Sequence, residues 1–234
     1  MTRCRGAAAV LAGLAMAAAL AMLAACGDVP TIDGAAPAWD PTYPVDSAGT
    51  ALSVIYHWPL AYSIAIYVDT TATTPGRPIG PAIDRGVALW QGVTYYREIA
   101  WHLARSPEQA DVIFHNVMAP MLVGTAGCLY QTTGFGGYTF LCPSTDADSM
   151  LTLPLVSGAP GHVKMDVSID ATRAADSAQF VSLVAHEIGH VLGIGLHSDT
   201  SSDLMFSFPT APAPTARDAA TMRWVLHQPV HLRP

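Results

Sequence analysis

A pair of histidines lies in an otherwise apolar segment of this chain. Residues 180–192 are mostly aliphatic, yet they include His186, Glu187 and His190. Residues four apart lie on one face of a helix, so the two imidazoles would be neighbours, about 5–6 Å apart at Cβ. Buried imidazoles and carboxylates need polar partners, and the flanking residues offer none. The pattern therefore predicts a helix whose histidines bind a ligand.

A divalent metal is the ligand that this spacing fits. Two imidazoles on one helical face can both bind one Zn²⁺ at ~2.0–2.1 Å. Glu187 follows the first histidine, so it can accept a proton from water beside the metal without being a ligand. Gly193 would end the helix in a left-handed turn, after which His197 can supply a third nitrogen. Three protein ligands leave a fourth position open, so we expect one catalytic Zn²⁺.

These residues resemble the zinc-binding signature of the metzincin metalloproteases, and particularly of the matrixin branch. In that family a serine commonly follows the third histidine and a methionine lies a few residues on. Here Ser198 follows His197, and Met205 fits the family's Met-turn. The resemblance covers roughly residues 60–228. It implies an α+β fold in which a mixed, twisted β-sheet packs on the zinc-binding helix, with a C-terminal helix after the Met-turn.

The same resemblance implies an activity. The chain would be a zinc endopeptidase that hydrolyses a peptide or protein substrate, with Glu187 as general base and His186, His190 and His197 as the metal ligands. Family members often carry further structural Ca²⁺ or Zn²⁺ ions. Such an ion is conceivable among His115, Asp146, Asp148, Asp166 and Asp170, but no spacing singles out a site.

The chain departs from the family pattern at the third histidine. The family places two residues between its glycine and that histidine, whereas residues 194–196 make three. Either the turn bulges at Gly195 and brings His197 in, or Asp199 supplies an oxygen instead. We favour His197, because imidazole is the better-matched ligand and Gly195 supplies backbone freedom. The departure leaves open an inactive zinc- or peptide-binding lipoprotein on the same scaffold, although Glu187 counts against that alternative.

The N-terminus has the features of an export signal. Arg3 and Arg5 precede an apolar run over residues 7–25. The run ends in Leu-Ala-Ala followed by Cys26, which resembles the lipobox of bacterial lipoproteins. We therefore expect residues 1–25 to be a lipoprotein signal peptide and a lipidated Cys26 to anchor the chain to a membrane outside the cytoplasm. An uncleaved anchor helix is the alternative, and it would also place the domain outside.

Composition along the remaining chain predicts one spacer and one domain. Residues 26–50 are rich in Pro, Gly, Ala, Asp and Thr without hydrophobic period, which favours a flexible spacer. Residues 51–234 would form the metzincin-like domain, which we expect to be a monomer. The net charge of −7 argues against nucleic acid as a partner. In an oxidising compartment, Cys128 and Cys142 would form a disulfide.

Alternation and capping patterns predict the elements around the histidines. Strands are expected over residues 64–68, 95–103, 110–117 and 162–169, the last at or near the edge of the sheet. A helix should start near Gly80 and Pro81. Two more should begin at Asp176 or Ser177 and at Thr215, ending near residues 192 and 226. The strands within residues 118–160 could not be placed.

Overall fold

The computed structural model describes residues 36–47, 50–55, 57–58, 60, 62–70, 74–95, 98–117, 130–131, 136–144, 151–154, 160–228 and 231–233. The predicted signal peptide, Cys26 and Cys128 lie outside these ranges. Lipidation and the disulfide therefore stay predictions, although the Cys142 backbone lies on a described strand. Within the described ranges, no helix is long and apolar enough to cross a membrane.

A seven-stranded mixed sheet forms one layer of the fold. Its strands are β3 (Ser63–Asp69), β4 (Ala100–Leu103), β5 (Val112–Val117), β6 (Tyr130–Gln131), β7 (Gly137–Ser144), β8 (Leu151–Pro154) and β9 (Pro160–Asp170). The order is β4-β3-β5-β9-β7-β6, and β8 pairs with the start of β9. Strands β4, β3, β5 and β9 are parallel, whereas β7 runs antiparallel to β9. Strand β7 also contacts the helix that carries His186 and His190.

Three α-helices accompany the sheet: α1 (Ile79–Gln91), α2 (Ser177–Val191) and α3 (Ala216–Leu226). Helix α2 begins where the Asp176 carboxylate accepts a hydrogen bond from the Gln179 amide at 2.8 Å. Helix α1 packs on α2, and the Trp90 indole donates to the Ala185 carbonyl at 2.7 Å. Gly86 permits this approach, because a Cβ there would lie 2.7 Å from the Ile188 side chain. The two helices thus share one apolar core.

Strands near both ends of the described chain form a smaller antiparallel sheet. It contains β1 (Tyr43–Ser47), β2 (Thr50–Ile55) and β10 (His231–Arg233), in the order β1-β2-β10. Tyr43 is fully buried and Trp39 is 9% exposed. The predicted spacer over residues 26–50 therefore includes buried residues, among them Trp39 and Tyr43. Its Pro- and Gly-rich composition concealed two aromatic residues that fill the core.

Most of the predicted elements are confirmed. Strands β3 and β5 match the predicted runs, and all three helices start within a residue or two of the predicted positions. Thr215 caps α3 in a capping box with Asp218. The mixed sheet and packed helices agree with the α+β class, while the metzincin assignment stays a prediction.

The edge position predicted for one strand and the length predicted for another were wrong. Strand β9 contains the predicted residues 162–169, but it lies between β5 and β7 rather than at an edge. Two of its polar side chains nevertheless have partners within the protein: Asp166, whose side chain is 30% exposed, contacts His115 on β5, and Asp170 accepts from the Thr172 amide. The predicted strand over residues 95–103 is shorter, because the Tyr95 amide donates to the Glu98 carboxylate in a turn and β4 begins only at position 100.

His115 lies between two carboxylates in the middle of the sheet. Its Nδ1 lies 3.1 Å from Asp69 on β3, and its Nε2 lies 3.4 Å from Asp166 on β9. The hydrogen bond to Asp166 is the largest influence raising the pKa of His115, and the bond to Asp69 adds to it, while burial opposes both. A protonated His115 therefore links three adjacent strands.

This arrangement predicts a pH-dependent contribution to stability. Because folding raises the pKa of His115, its stabilisation is complete below the unfolded pKa of about 6.5 and is lost as pH rises through the folded value. We expect His115→Gln to reduce the free energy of unfolding by about 1 kcal/mol at pH 5.5 and by much less at pH 9. Urea unfolding at both pH values measures this. Asp166→Asn should remove most of the same pH dependence, and an equal loss at both pH values would contradict the assignment.

Candidate metal centre

The three predicted histidines meet at one point beside α2. His186 and His190 come from consecutive turns of the helix, and His197 comes from the loop that follows it. The Nε2 of His190 lies 3.1 Å from the Nε2 of His186 and 3.3 Å from the Nε2 of His197. In a tetrahedral site with Zn–N of ~2.0–2.1 Å, ligand nitrogens are about 3.3–3.4 Å apart. The three side chains are therefore arranged to hold a metal ion.

Backbone carbonyls fix the orientation of two of these rings. His186 Nδ1 lies 2.7 Å from the Leu204 carbonyl, and His190 Nδ1 lies 2.6 Å from the Ile194 carbonyl. A carbonyl only accepts, so Nδ1 carries the proton and Nε2 presents a lone pair. Lone pairs that face one another at about 3 Å repel unless a cation lies between them. Such carbonyl partners also orient metal-binding histidines in general.

The surroundings favour the neutral form that a metal requires. Burial, followed by the proximity of His197, lowers the pKa of His186 to about 3. Burial also lowers the pKa of His190 well below its usual range, and the other two histidines add to that effect. Burial lowers the pKa of His197 as well. Because a protonated imidazole cannot bind a metal, these shifts keep the ligand set available down to acidic pH.

Glu187 lies on the same helix and is 1% exposed. The Thr139 hydroxyl on β7 donates to its carboxylate at 2.6 Å. Burial raises the pKa of Glu187 to about 8, and the hydrogen bond from Thr139 opposes this shift. A divalent cation nearby would also favour the carboxylate. Gly137 makes room for the group, since a Cβ there would lie 2.0 Å from Glu187 Oε1.

The path of the loop after α2 accommodates the extra residue that precedes His197. Gly193 has a φ of 125°, so the predicted left-handed turn is present. The Ile194 amide then donates to the Gly189 carbonyl at 3.1 Å, and the loop brings His197 to the other two histidines. Asp199, the alternative ligand, points away: its side chain is 77% exposed and pairs with Arg217 at 2.7 Å. The structure thus places His197, and not Asp199, in the metal group.

Met205 packs beneath the helix that carries the ligands. It is fully buried, and a Cβ on Gly189 would lie only 2.3 Å from its sulfur. The Ser198 amide donates to the Met205 carbonyl at 2.9 Å, which closes the loop between the third histidine and the methionine. The predicted turn around Met205 therefore lies against the metal helix, where its thioether fills the space that a glycine leaves.

Asp218 supports both the methionine turn and the start of α3. Its carboxylate accepts hydrogen bonds from the Leu204 amide at 2.8 Å and the Met205 amide at 3.1 Å. It also accepts from the Thr215 amide at 2.7 Å, within the capping box of α3. Since Leu204 in turn accepts the His186 Nδ1 proton, this one carboxylate supports both the methionine turn and the first metal ligand.

No second metal group forms among the described residues of the chain. His115 and Asp166 do approach one another, but Asp69 and Asp166 contact opposite nitrogens of the ring, so the three groups do not converge. Asp170 caps the short 3₁₀ helix at Thr172. Asp146 and Asp148 lie outside the described residues.

Three residues that matter to the site were not found from the sequence. Thr139 lies in a stretch without a clear period, and nothing nearby marks it as a neighbour of Glu187. Trp39 and Tyr43 lie in the predicted spacer, yet the Trp39 indole donates to the Leu196 carbonyl at 3.1 Å and the Tyr43 hydroxyl to the His190 carbonyl. Two aromatic residues in an otherwise small and polar stretch were the available signal.

Comparison with known proteins adds little information about the function of this chain. No family model and no curated protein sequence matches this chain. Among solved structures the chain is similar to myroilysin, with 14% identity and a TM-score of 0.38 over 76% of this chain and 99% of the myroilysin chain. A likeness this distant carries no argument about function, which has to be inferred from the site itself.

Proposed function

We propose that this chain is a zinc-dependent endopeptidase of the metzincin type. The observation that carries the proposal is the meeting of three imidazole Nε2 atoms beside a buried glutamate on the same helix. Three neutral nitrogens are the donor set of a catalytic zinc site with one open position. A module that only binds metal has no use for a carboxylate held beside the ligands, so Glu187 favours a hydrolase.

The residues of the site would have separate roles in peptide hydrolysis. A bound Zn²⁺ would supply Lewis-acid chemistry, which acidifies water and polarises a carbonyl. Glu187 would accept a proton from the attacking water and later deliver it to the leaving amine. Thr139 holds the carboxylate from the side of β7, so the strand nearest the glutamate also orients it. An extended peptide substrate would form main-chain hydrogen bonds with the edge strand of the sheet, which is a common way for proteins to bind peptides.

The location of the enzyme is part of the proposal. The basic start, the apolar run and Cys26 support export followed by lipidation, which would leave the domain tethered outside the cytoplasm. The pairing of Cys128 with Cys142 is proposed on the same ground, because disulfides persist in oxidising compartments. Mass spectrometry of the protein purified from membranes would detect the acyl chains on Cys26 and the cross-link.

Cleavage of a mixed peptide library tests the activity. The purified protein is incubated with the library, with and without a chelator, and products are identified by mass spectrometry alongside metal analysis. We expect one Zn²⁺ per chain, cleavage of internal peptide bonds, loss of cleavage with chelator and its return on adding Zn²⁺. One bound Zn²⁺ without any cleavage would contradict the proposal and favour the inactive binding lipoprotein instead.

A further inference from the structure

The residues that lead into β1, up to its first residue Tyr43, hold the loop that carries the third histidine. The Gly195 amide donates to the Pro41 carbonyl at 2.7 Å. The Trp39 indole donates to the Leu196 carbonyl at 3.1 Å. The Tyr43 hydroxyl donates to the His190 carbonyl, at the point where the helix ends. Residues 39–43, called the clamp below, therefore form hydrogen bonds with the backbone of His190, Gly195 and Leu196, on both sides of the turn at Gly193.

Gly195 shows how closely the clamp and the loop fit. A Cβ at this position would lie 2.4 Å from the Thr42 carbonyl oxygen and 2.6 Å from the Tyr43 nitrogen. Real side chains essentially never approach backbone so closely, so any other residue would push the clamp away. The close approach of the clamp backbone thus requires a glycine at position 195.

The clamp is itself fixed at several points. The Asp40 carboxylate accepts from the Thr42 amide at 3.0 Å, which gives the segment a local turn. The Ala38 amide donates to the Thr221 hydroxyl of α3 at 3.1 Å. The Arg217 guanidinium lies 5.8 Å above the ring of Trp39. A segment held in this way can impose its geometry on a flexible loop.

We propose that the clamp positions His197 for metal binding, and that the longer spacing before this histidine works only because the clamp holds Gly195 and Leu196. Without these bonds a loop with one extra residue and two glycines would have many conformations, few of which point His197 at the other ligands. The proposal rests on the metal site of the proposed function, but not on peptidase chemistry. Trp39 is on this view a positioning residue.

Metal affinity and the spectrum of bound cobalt test the clamp. Zn²⁺ affinity of the full chain is measured by competition with a chromophoric chelator, and Co²⁺ reports coordination geometry through its visible absorption. Trp39→Phe keeps an aromatic ring but removes the donor to Leu196. We expect it to weaken Zn²⁺ binding about tenfold and to reduce the intense absorption of tetrahedral Co²⁺. Gly195→Ala should weaken binding further, by up to about a hundredfold.

Trp58→Phe is the matched control. The Trp58 indole is 4% exposed and donates to the Val191 carbonyl at 2.8 Å, outside the loop. It should lower the melting temperature without changing Zn²⁺ affinity or the cobalt spectrum. Wild-type affinity and spectrum in Trp39→Phe would overturn the proposal, as would equal losses of affinity in both tryptophan variants. If Gly195→Ala does not fold, the Zn²⁺ affinity and cobalt spectrum of Trp39→Phe still test the proposal. Normal metal binding without peptide cleavage in the unaltered protein would count against the peptidase alone.

Discussion

The substitution Glu187→Gln should lower kcat for peptide cleavage by about 10²–10⁴-fold while the protein keeps its Zn²⁺. Glutamine has the same shape, and its amide oxygen can still accept the hydrogen bond from Thr139. It cannot accept a proton from water at any working pH, so the chemical step loses its base. Steady-state kinetics on a peptide identified from the library gives kcat, and metal analysis of the same sample shows whether the ligands are intact.

Glu98→Gln provides the control for this experiment. The Glu98 side chain is 8% exposed and lies 2.8 Å from His227, so the exchange also removes a buried carboxylate. It should reduce stability but leave kcat within about twofold of the unaltered protein, since surface and structural changes act on folding rather than on the chemical step. Cleavage at the normal rate by Glu187→Gln would show that another group acts as the base.

Asp218→Ala should reduce the free energy of unfolding by about 3–5 kcal/mol. Asp218 is fully buried and accepts three backbone hydrogen bonds, from Leu204, Met205 and Thr215. Each buried amide left without a partner costs about 1–3 kcal/mol. Chemical unfolding at neutral pH measures the loss, and Zn²⁺ affinity should fall as well because Leu204 orients His186.

The aspartate at the start of α2 separates this effect from ordinary helix capping. Asp176 accepts from the Gln179 amide at 2.8 Å, and that contact is exposed. Asp176→Ala should therefore cost only about 1 kcal/mol and should leave Zn²⁺ affinity unchanged. Similar losses for the two alanine variants would mean that the bonds to the methionine turn contribute nothing beyond the cap.

The metal ligands could be identified from the sequence because they lie close together in it. His186, His190 and His197 span twelve positions, and helical geometry alone determines how the first two are placed. The turn at Gly193 follows from a local conformational rule, and the methionine turn follows from the family resemblance. Only the choice between His197 and Asp199 needed the structure, because the length of a loop does not determine its path.

The residues that support the ligands could not be identified, because their contacts are distant in sequence. Thr139 reaches Glu187 from β7, a strand in a region where glycines and prolines obscure the alternation of side chains. Trp39 and Tyr43 lie in a stretch whose composition is that of a spacer. Which backbone groups they meet depends on how the whole domain closes, and no local pattern contains that information.

The position of β9 illustrates a second limit. Alternating polar residues predict a strand with one wet face, which suggests an edge or a solvated side. In the structure the Asp166 side chain contacts His115 on the neighbouring strand β5. Alternation thus predicted the strand correctly, but it could not show that Asp166 faces a histidine on a neighbouring strand as well as solvent.

The difference between local ligands and distant supports has a consequence for the order of folding. His190 is separated from His186 by 4 positions and from His197 by 7, whereas Tyr43 contacts His190 across 147 positions and Trp39 contacts Leu196 across 157. Contacts of long sequence separation form late, since closing large loops costs entropy first. A chain that has not yet folded can therefore already capture Zn²⁺ weakly through its histidine segment. Because such capture also stabilises the unfolded state, the ion should raise the melting temperature by less than its affinity for the native protein would suggest.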